Sequence, residues 1–275
     1  MVNDHSVYVP ERFSMVVKLH LVRNLQPDPP YNTPLLLGVH GRPGEGKTFQ
    51  LRYILNLMGI HTSLLSGGQL ESSDAGEPGA RIRDAYLSAG SAVSNGVPAA
   101  DLLNDADAAI GHWGDLTQYT VNTQNVITEL MHLCDYPTKV EGRTTPRVPI
   151  FLTGNDFTRL YGPLRRHGRM DLFKWEMSQQ ERAVILAGIF GSLSAAEIDK
   201  LLSLHPDYSI ADWTAVAARI TDVNLTTYLS KLDARILLAK IVQGARLEGV
   251  GRAPDFQDVV QAIDYLNGNI AVNML

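Results

Sequence analysis

The sequence has 275 residues, 45% hydrophobic and 19% charged, which excludes a disordered chain and supplies apolar side chains for one large core or two smaller ones. A formal net charge of -5 argues against a strongly basic nucleic-acid binder, though it leaves room for a local basic channel, and a single cysteine, Cys134, excludes an intramolecular disulfide framework and fits a reducing compartment. No apolar run reaches the ~18 residues of a membrane span, and the polar start does not read as a signal peptide, so a cytoplasmic location is expected, with neither membrane nor nucleic acid as partner.

Residues 9–25 read as a helix, because Phe13, Val16, Val17, Leu19 and Leu21 recur at helical spacing. The proline-rich stretch 26–34 reads as a linker. Residues 35–40 form a short apolar run like a buried parallel strand. A glycine-rich turn follows over 41–48, then a helix to about Met58 and a second strand over 60–65. A helix over 78–93, a third strand over 99–103, a helix over 119–135 and a fourth strand over 148–153 complete the alternation. Strand, turn and helix in this order predict an α/β domain with a parallel sheet. After about Met177 only helices are predicted, over 181–190, 195–204, 210–219, 226–247 and 256–266. The expected division is an N-terminal helix and linker (1–33), an α/β domain (34–177) and a helical domain (178–275).

Gly41-Arg42-Pro43-Gly44-Glu45-Gly46-Lys47-Thr48 matches G-x-x-x-x-G-K-[ST] in full. Glycines let backbone N–H groups wrap a phosphate, a lysine reaches the β- and γ-phosphate oxygens, and a threonine hydroxyl ligates Mg²⁺. The motif lies between a predicted strand and a predicted helix, which is the context its mechanism needs. ATP and Mg²⁺ are the expected ligands.

A nucleotide hydrolase also needs acidic or polar groups at a neighbouring strand end. Residues 100–107, Ala-Asp-Leu-Leu-Asn-Asp-Ala-Asp, supply Asp105 and Asp107 where the third strand should emerge. Asp101 falls inside that strand, where a carboxylate is costly to bury. The histidines form no ligand cluster, no H-E-x-x-H or C-x-x-C occurs, and no G-x-S-x-G marks a serine nucleophile. Cys134, Trp213 and Tyr228 read as packing residues on helices.

Several segments together resemble the Rubisco activase family of AAA+ ATPases over residues 8–220. They are Gly38-Val-His-Gly-Arg-Pro-Gly-Glu-Gly-Lys-Thr-Phe-Gln50, residues 66–78, Leu103-Asn-Asp-Ala-Asp-Ala108, Thr117-Gln-Tyr-Thr-Val-Asn-Thr-Gln124 and residues 147–171 with Thr-Gly-Asn-Asp-Phe. The resemblance is to a bacterial or cyanobacterial-like form without a C-terminal redox extension. It implies an AAA+ module: a parallel-sheet P-loop domain followed by an all-helical lid. It implies ATP hydrolysis coupled to remodelling of Rubisco, with inhibitory sugar phosphates released, in a homo-oligomer, by analogy a hexameric ring.

Roles carry over by position. Gly41, Gly44, Glu45, Gly46, Lys47, Thr48 and Phe49 are expected around the nucleotide, with Asn104 and Asp107. Asp105 activates water and, with Thr48, holds the metal. Asn155 senses the γ-phosphate. Arg166 and Arg169 reach the neighbouring subunit's nucleotide, and Arg219 is a lid contact. Leu70, Glu71, Ser72, Ser73 and Asp74 match a first pore loop that engages the client; His112 and Trp113 match a second. Two other readings share these residues: an AAA+ remodeller of a different client, and a nucleotide-binding structural module that hydrolyses weakly.

Overall fold

The computed structural model describes residues 7–70, 76–112, 121–230, 234–244 and 253–273. Two compact units result, Val9–Glu176 and a second built on Met177–Leu275.

The first unit opens with α1 (Glu11–Leu25), which buries Phe13, Val17, His20, Leu21 and Asn24 on one face; Glu11 and Arg23 suit its dipole at either end. The linker is tied down. Arg147 donates to the Asn24 side-chain oxygen at 2.6 Å and to the Thr33 carbonyl, while the Asn24 amide donates to the Pro34 carbonyl at 3.1 Å. Helix and linker therefore belong to the α/β unit and do not form a segment apart.

Strand β1 (Leu36–His40) leads into α2 (Lys47–Leu57), β2 (His61–Ser66), α3 (Glu77–Ser94) and β3 (Ala99–Asn104). A short helix α4 (Ala106–Ile110), α5 (Val121–Asp135), the hairpin β4 (Lys139–Val140) and β5 (Arg143–Thr144), β6 (Ile150–Gly154) and β7 (Met170–Lys174) follow. The main sheet has five strands in the order β2-β3-β6-β1-β7, all parallel. Alternate residues of each strand face opposite layers. Ile150 and Leu152 join Ile82, Tyr86, Leu130 and Leu133 in the core beneath α3 and α5, and Phe151 meets the His20 ring of α1 at 5.0 Å.

Strand β7 was not expected from the sequence. It is an edge strand in which only Met170 is buried and which carries Asp171 and Lys174, so it lacks the apolar run that marks the inner strands. Helix α4 and the β4–β5 hairpin were also missed; five-residue and two-residue elements carry too little periodicity to be read.

The second unit contains α6 (Gln179–Phe190), α7 (Ala195–Leu204), α8 (Ile210–Leu229), α9 (Ala234–Val242) and α10 (Phe256–Asn273). Helices α6, α7 and α8 each start with a capping box, Ser178/Glu181, Ser194/Glu197 and Ser209/Asp212. The core holds Phe190, Leu201, Trp213, Val216, Val259 and Ile263. Two of the predicted helices are redivided. Helix α8 runs unbroken through residues 219–226, where Asp222 and Asn224 weaken propensity, because no glycine or proline stops propagation. Thr221, Thr226 and Thr227 turn their hydroxyls onto carbonyls four residues back. Among the described residues no helix is long and apolar enough to cross a membrane.

Asp101 lies within β3, opposite Ser63 of β2, and is almost wholly buried; its Oδ1 has no partner among the described residues. Burial pushes its carboxyl up to about 7, against a hydrogen bond from Ser63. A raised carboxyl holds a proton in the fold that the unfolded chain releases. Stability from this group therefore falls as pH rises from about 4 to about 7, then levels. At ~1.4 kcal/mol per pKa unit, the rise from 3.8 to about 7 is worth about 4 kcal/mol in total. Asp101→Asn is expected to raise the melting temperature by several degrees at pH 8 and to change it little at pH 4. Equal shifts at both pH values would show that Asp101 is not held protonated.

Candidate active site

The carboxyl ends of β1, β3 and β6 lie side by side, with His40 in register with Gly154 and Ser66 with Asn104. Open parallel sheets bind ligands at this edge. The glycine-rich turn leaves β1 here. Gly46 has φ 70° and caps α2 in the left-handed region, which a side chain would strain. Gly41 is pressed against Trp175, whose carbonyl would lie 2.1 Å from a Cβ.

Lys47 is the first residue of α2 and is buried. Its ammonium donates to the carbonyls of Gly41 at 2.9 Å and Arg42 at 2.8 Å, and to Asn155 Oδ1 at 3.0 Å. Burial lowers the lysine's proton affinity, opposed by the charges of Asp107, Asp105 and Glu45. The Thr48 hydroxyl donates to Asn104 Oδ1 at 2.6 Å, and the Thr153 hydroxyl donates to the same oxygen at 2.8 Å. The Asn104 amide then donates to Asp105 Oδ2 at 2.6 Å. Asp105 itself sits exposed at the N-terminus of α4 with φ 52°, the strained left-handed conformation of a non-glycine residue. Lys47, Thr48, Asn104, Asp105 and Asn155 are thus brought together from three separate stretches of chain. The side-chain oxygens of Thr48, Asn104 and Asp105 are of the kind that suits a hard cation such as Mg²⁺, which takes oxygen ligands and keeps part of its water shell.

Asp107 is not placed to meet a nucleotide. It is 2% exposed, and its Oδ2 accepts from the backbone N–H groups of Asn155 and Asp156, each at 2.8 Å. It is a strut that positions Asn155. Glu45 is also buried, and its backbone carbonyl accepts from the Trp175 indole. Phe49 projects outward, 60% exposed, and stacks on Tyr53 at 6.3 Å.

Leu70 cannot serve as a client contact within this subunit. It is 5% exposed and packs in the core with Ile82, Tyr86 and Ile110, anchoring the loop it was expected to lead. Glu71, Ser72, Ser73, Asp74 and Trp113 lie outside the described residues. His112 is exposed, and its backbone N–H donates to the Arg159 carbonyl at 2.9 Å. Arg166 and Arg169 sit together beside Asp135, at the end of α5. In the helical unit, the Arg219 guanidinium lies over the Tyr265 ring at 3.6 Å.

Two site residues escaped the sequence reading. Thr153 precedes Gly154 at the end of β6, and its hydroxyl at a strand end beside the P-loop was the available signal. Trp175 is fully buried; its indole N–H donates to the Glu45 carbonyl at 2.9 Å and its ring meets Phe13 edge-on at 4.9 Å. It holds the phosphate loop from 130 residues away, and no local motif marks it.

Residues 37–175 match the family described as ATPase family associated with various cellular activities (AAA), and the chain belongs to that family. Its similarity to individual proteins is more particular. It is 38% identical over 260 residues to ribulose bisphosphate carboxylase/oxygenase activase of a Nostoc species, covering 91% of this chain and 63% of the relative. It is 36% identical over 274 residues to the chloroplastic activase 1 of Larrea tridentata, covering 97% and 56%. It is 40% identical over 228 residues to the chloroplastic activase of Cucumis sativus, covering 80% and 55%. The chain thus spans between 55% and 63% of the length of these curated relatives.

Trp175→Phe keeps a ring against Phe13 and deletes the hydrogen bond to Glu45. The expected loss is about 1–2 kcal/mol of stability in a denaturant titration, with several-fold weaker binding of a fluorescent nucleotide. Unchanged binding would mean that the loop holds its shape without the indole.

Proposed function

We propose that this chain hydrolyses ATP to remodel a protein client, and that the client is Rubisco carrying an inhibitory sugar phosphate. The observation that carries the ATPase reading is the meeting of Lys47, Thr48, Asn104, Asp105 and Asn155 at one sheet edge. The client follows from the resemblance and from the printed names of the relatives.

The residues divide the work. The Lys47 ammonium exchanges carbonyl partners for β- and γ-phosphate oxygens, and the loop's backbone N–H groups wrap the phosphates. Thr48 and Asp105 hold Mg²⁺, with Asn104 orienting both. When bound, the metal supplies positive charge that offsets the charge on the phosphate oxygens. Asp105 accepts a hydrogen bond from the attacking water and draws on its proton. Asn155, positioned by the Asp107 carboxylate, reports the γ-phosphate to the loop that follows β6. A second copy in a hexameric ring contributes arginine charge from the turn that carries Arg166 and Arg169. By the resemblance, Arg219 has a nucleotide-sensing role and residues 71–74 with His112 and Trp113 have a role in engaging the client.

Lys47→Ala is expected to lower ATP turnover by at least about 100-fold and to abolish binding of a fluorescent ATP analogue at micromolar concentration, as read by anisotropy. Retained turnover would remove the P-loop assignment.

The client is tested directly. Rubisco locked with its sugar-phosphate substrate is mixed with the protein, ATP and Mg²⁺, and carboxylation is followed. Recovery that requires ATP and is lost in Lys47→Ala is the expected result. Hydrolysis without recovery across several Rubisco forms would assign the motor to another client.

A further inference from the structure

The two arginines that resemblance assigns to the neighbouring subunit's nucleotide are not equivalent. Arg169 is spent within its own chain. Its Nε donates to Asp135 Oδ1 at 2.9 Å, an Nη donates to Asp135 Oδ2, and the other Nη donates to the Pro163 carbonyl at 3.0 Å. That is a fork-to-fork pair, the strongest geometry open to a guanidinium and a carboxylate. The Arg169 side chain is 12% exposed. Arg166 touches the same carboxylate through one long contact of 3.5 Å, and its side chain is 60% exposed. The hydrogen bonds from Arg169 hold the Asp135 carboxyl below the usual carboxylate range, so the pair stays charged throughout the neutral region.

Backbone geometry links the two arginines. The N–H groups of Arg169 and Met170 both donate to the Arg166 carbonyl, at 3.1 and 3.3 Å, closing a turn that runs straight into β7. Asp135 is the last residue of α5. The Asp135–Arg169 pair therefore bolts the turn that carries Arg166 to the end of a core helix. For Arg169 to meet a phosphate it would leave three acceptors, and the Asp135 carboxylate would keep only the long contact from Arg166. Arg166 gives up one long ion pair.

Resting on the reading of the chain as an oligomeric ATPase, we infer that Arg166 is the group that meets the neighbour's γ-phosphate and that Asp135 and Arg169 are positioning residues that aim it.

The test measures kcat and KM for ATP, and the anisotropy Kd for a fluorescent ATP analogue, in Arg166→Ala, Arg169→Ala, Asp135→Asn, Asp135→Glu and the double variant Asp135→Asn/Arg169→Ala. Arg166→Ala is expected to lose about 1,000-fold in kcat with nucleotide Kd unchanged. Mixing it with Lys47→Ala subunits restores part of the hydrolysis, because an interface whose loop comes from an Arg166→Ala subunit and whose arginine comes from a Lys47→Ala subunit is intact, while the reverse orientation lacks both. Asp135→Asn and Arg169→Ala each lose about 10- to 100-fold in kcat with little change in KM. The double variant loses no more than either single one, as members of one unit do. Asp135→Glu, which keeps the charge, recovers most of the Asp135→Asn loss and separates lost charge from misfolding. A double variant whose losses multiply would overturn the inference, as would Arg169→Ala falling as far as Arg166→Ala while Asp135→Asn stays within twofold of wild type. Wild-type turnover in Arg166→Ala removes the trans-arginine reading itself, while loss in Lys47→Ala would still stand for the ATPase.

Discussion

A carboxylate taken almost entirely out of water has to be met by donors, and Asp107 is met by the backbone N–H groups of two consecutive residues, Asn155 and Asp156. The rest of the nucleotide edge depends on that requirement. The two amides belong to the loop after β6, so the carboxylate at the start of α4 fixes how that loop leaves the sheet. The Asn155 carbonyl then receives the Gly41 N–H at 3.2 Å, and its side chain receives Lys47. One buried side chain sets the register between the acidic strand end, Asn155 and the glycine-rich loop. Beside it, a single oxygen of Asn104 gathers two threonine hydroxyls from two other elements. The Asp107 carboxylate stands behind these groups, buried, and acts on them through the backbone of the loop after β6.

The second support comes from the opposite face of the sheet. Trp175 takes the Glu45 carbonyl, packs against Phe13, and has the Arg12 guanidinium over its ring at 4.4 Å. Helix α1 thus reaches the phosphate loop through one indole. This explains why α1 and the linker are bound so firmly to the α/β unit, with Arg147 joining Asn24 and Thr33 across the amino edge of the sheet.

Much of this was legible in the residues. The glycine spacing before Lys47-Thr48 has a local mechanism, so the loop and its flanking strand and helix followed from it. The Ser-x-x-Glu and Ser-x-x-Asp starts of α6, α7 and α8 are likewise local, and those helix starts fall where capping chemistry puts them. What could not be read depends on distance along the chain. Nothing near Asp107 says whether its carboxylate points to a ligand or to a backbone; only the parallel pairing of β3 with β6 decides it. Leu70 borders a polar loop and was read as part of it, yet the core beneath α3 claims it. Arg166 and Arg169 differ by three positions, and the partner that separates them, Asp135, lies on another helix.

The sheet order has a consequence for how the molecule comes into being. Strand β1 is flanked by β6 and β7, both made long after it, and its phosphate loop is closed by an indole 130 residues downstream. Pairings of such long range form late, since the intervening chain must be ordered before they repay its entropy. A chain emerging from the ribosome therefore carries its phosphate-binding motif exposed and unbraced until Trp175 is free of the exit tunnel. The motif is among the first features of the unit to be synthesised and among the last to take its working shape.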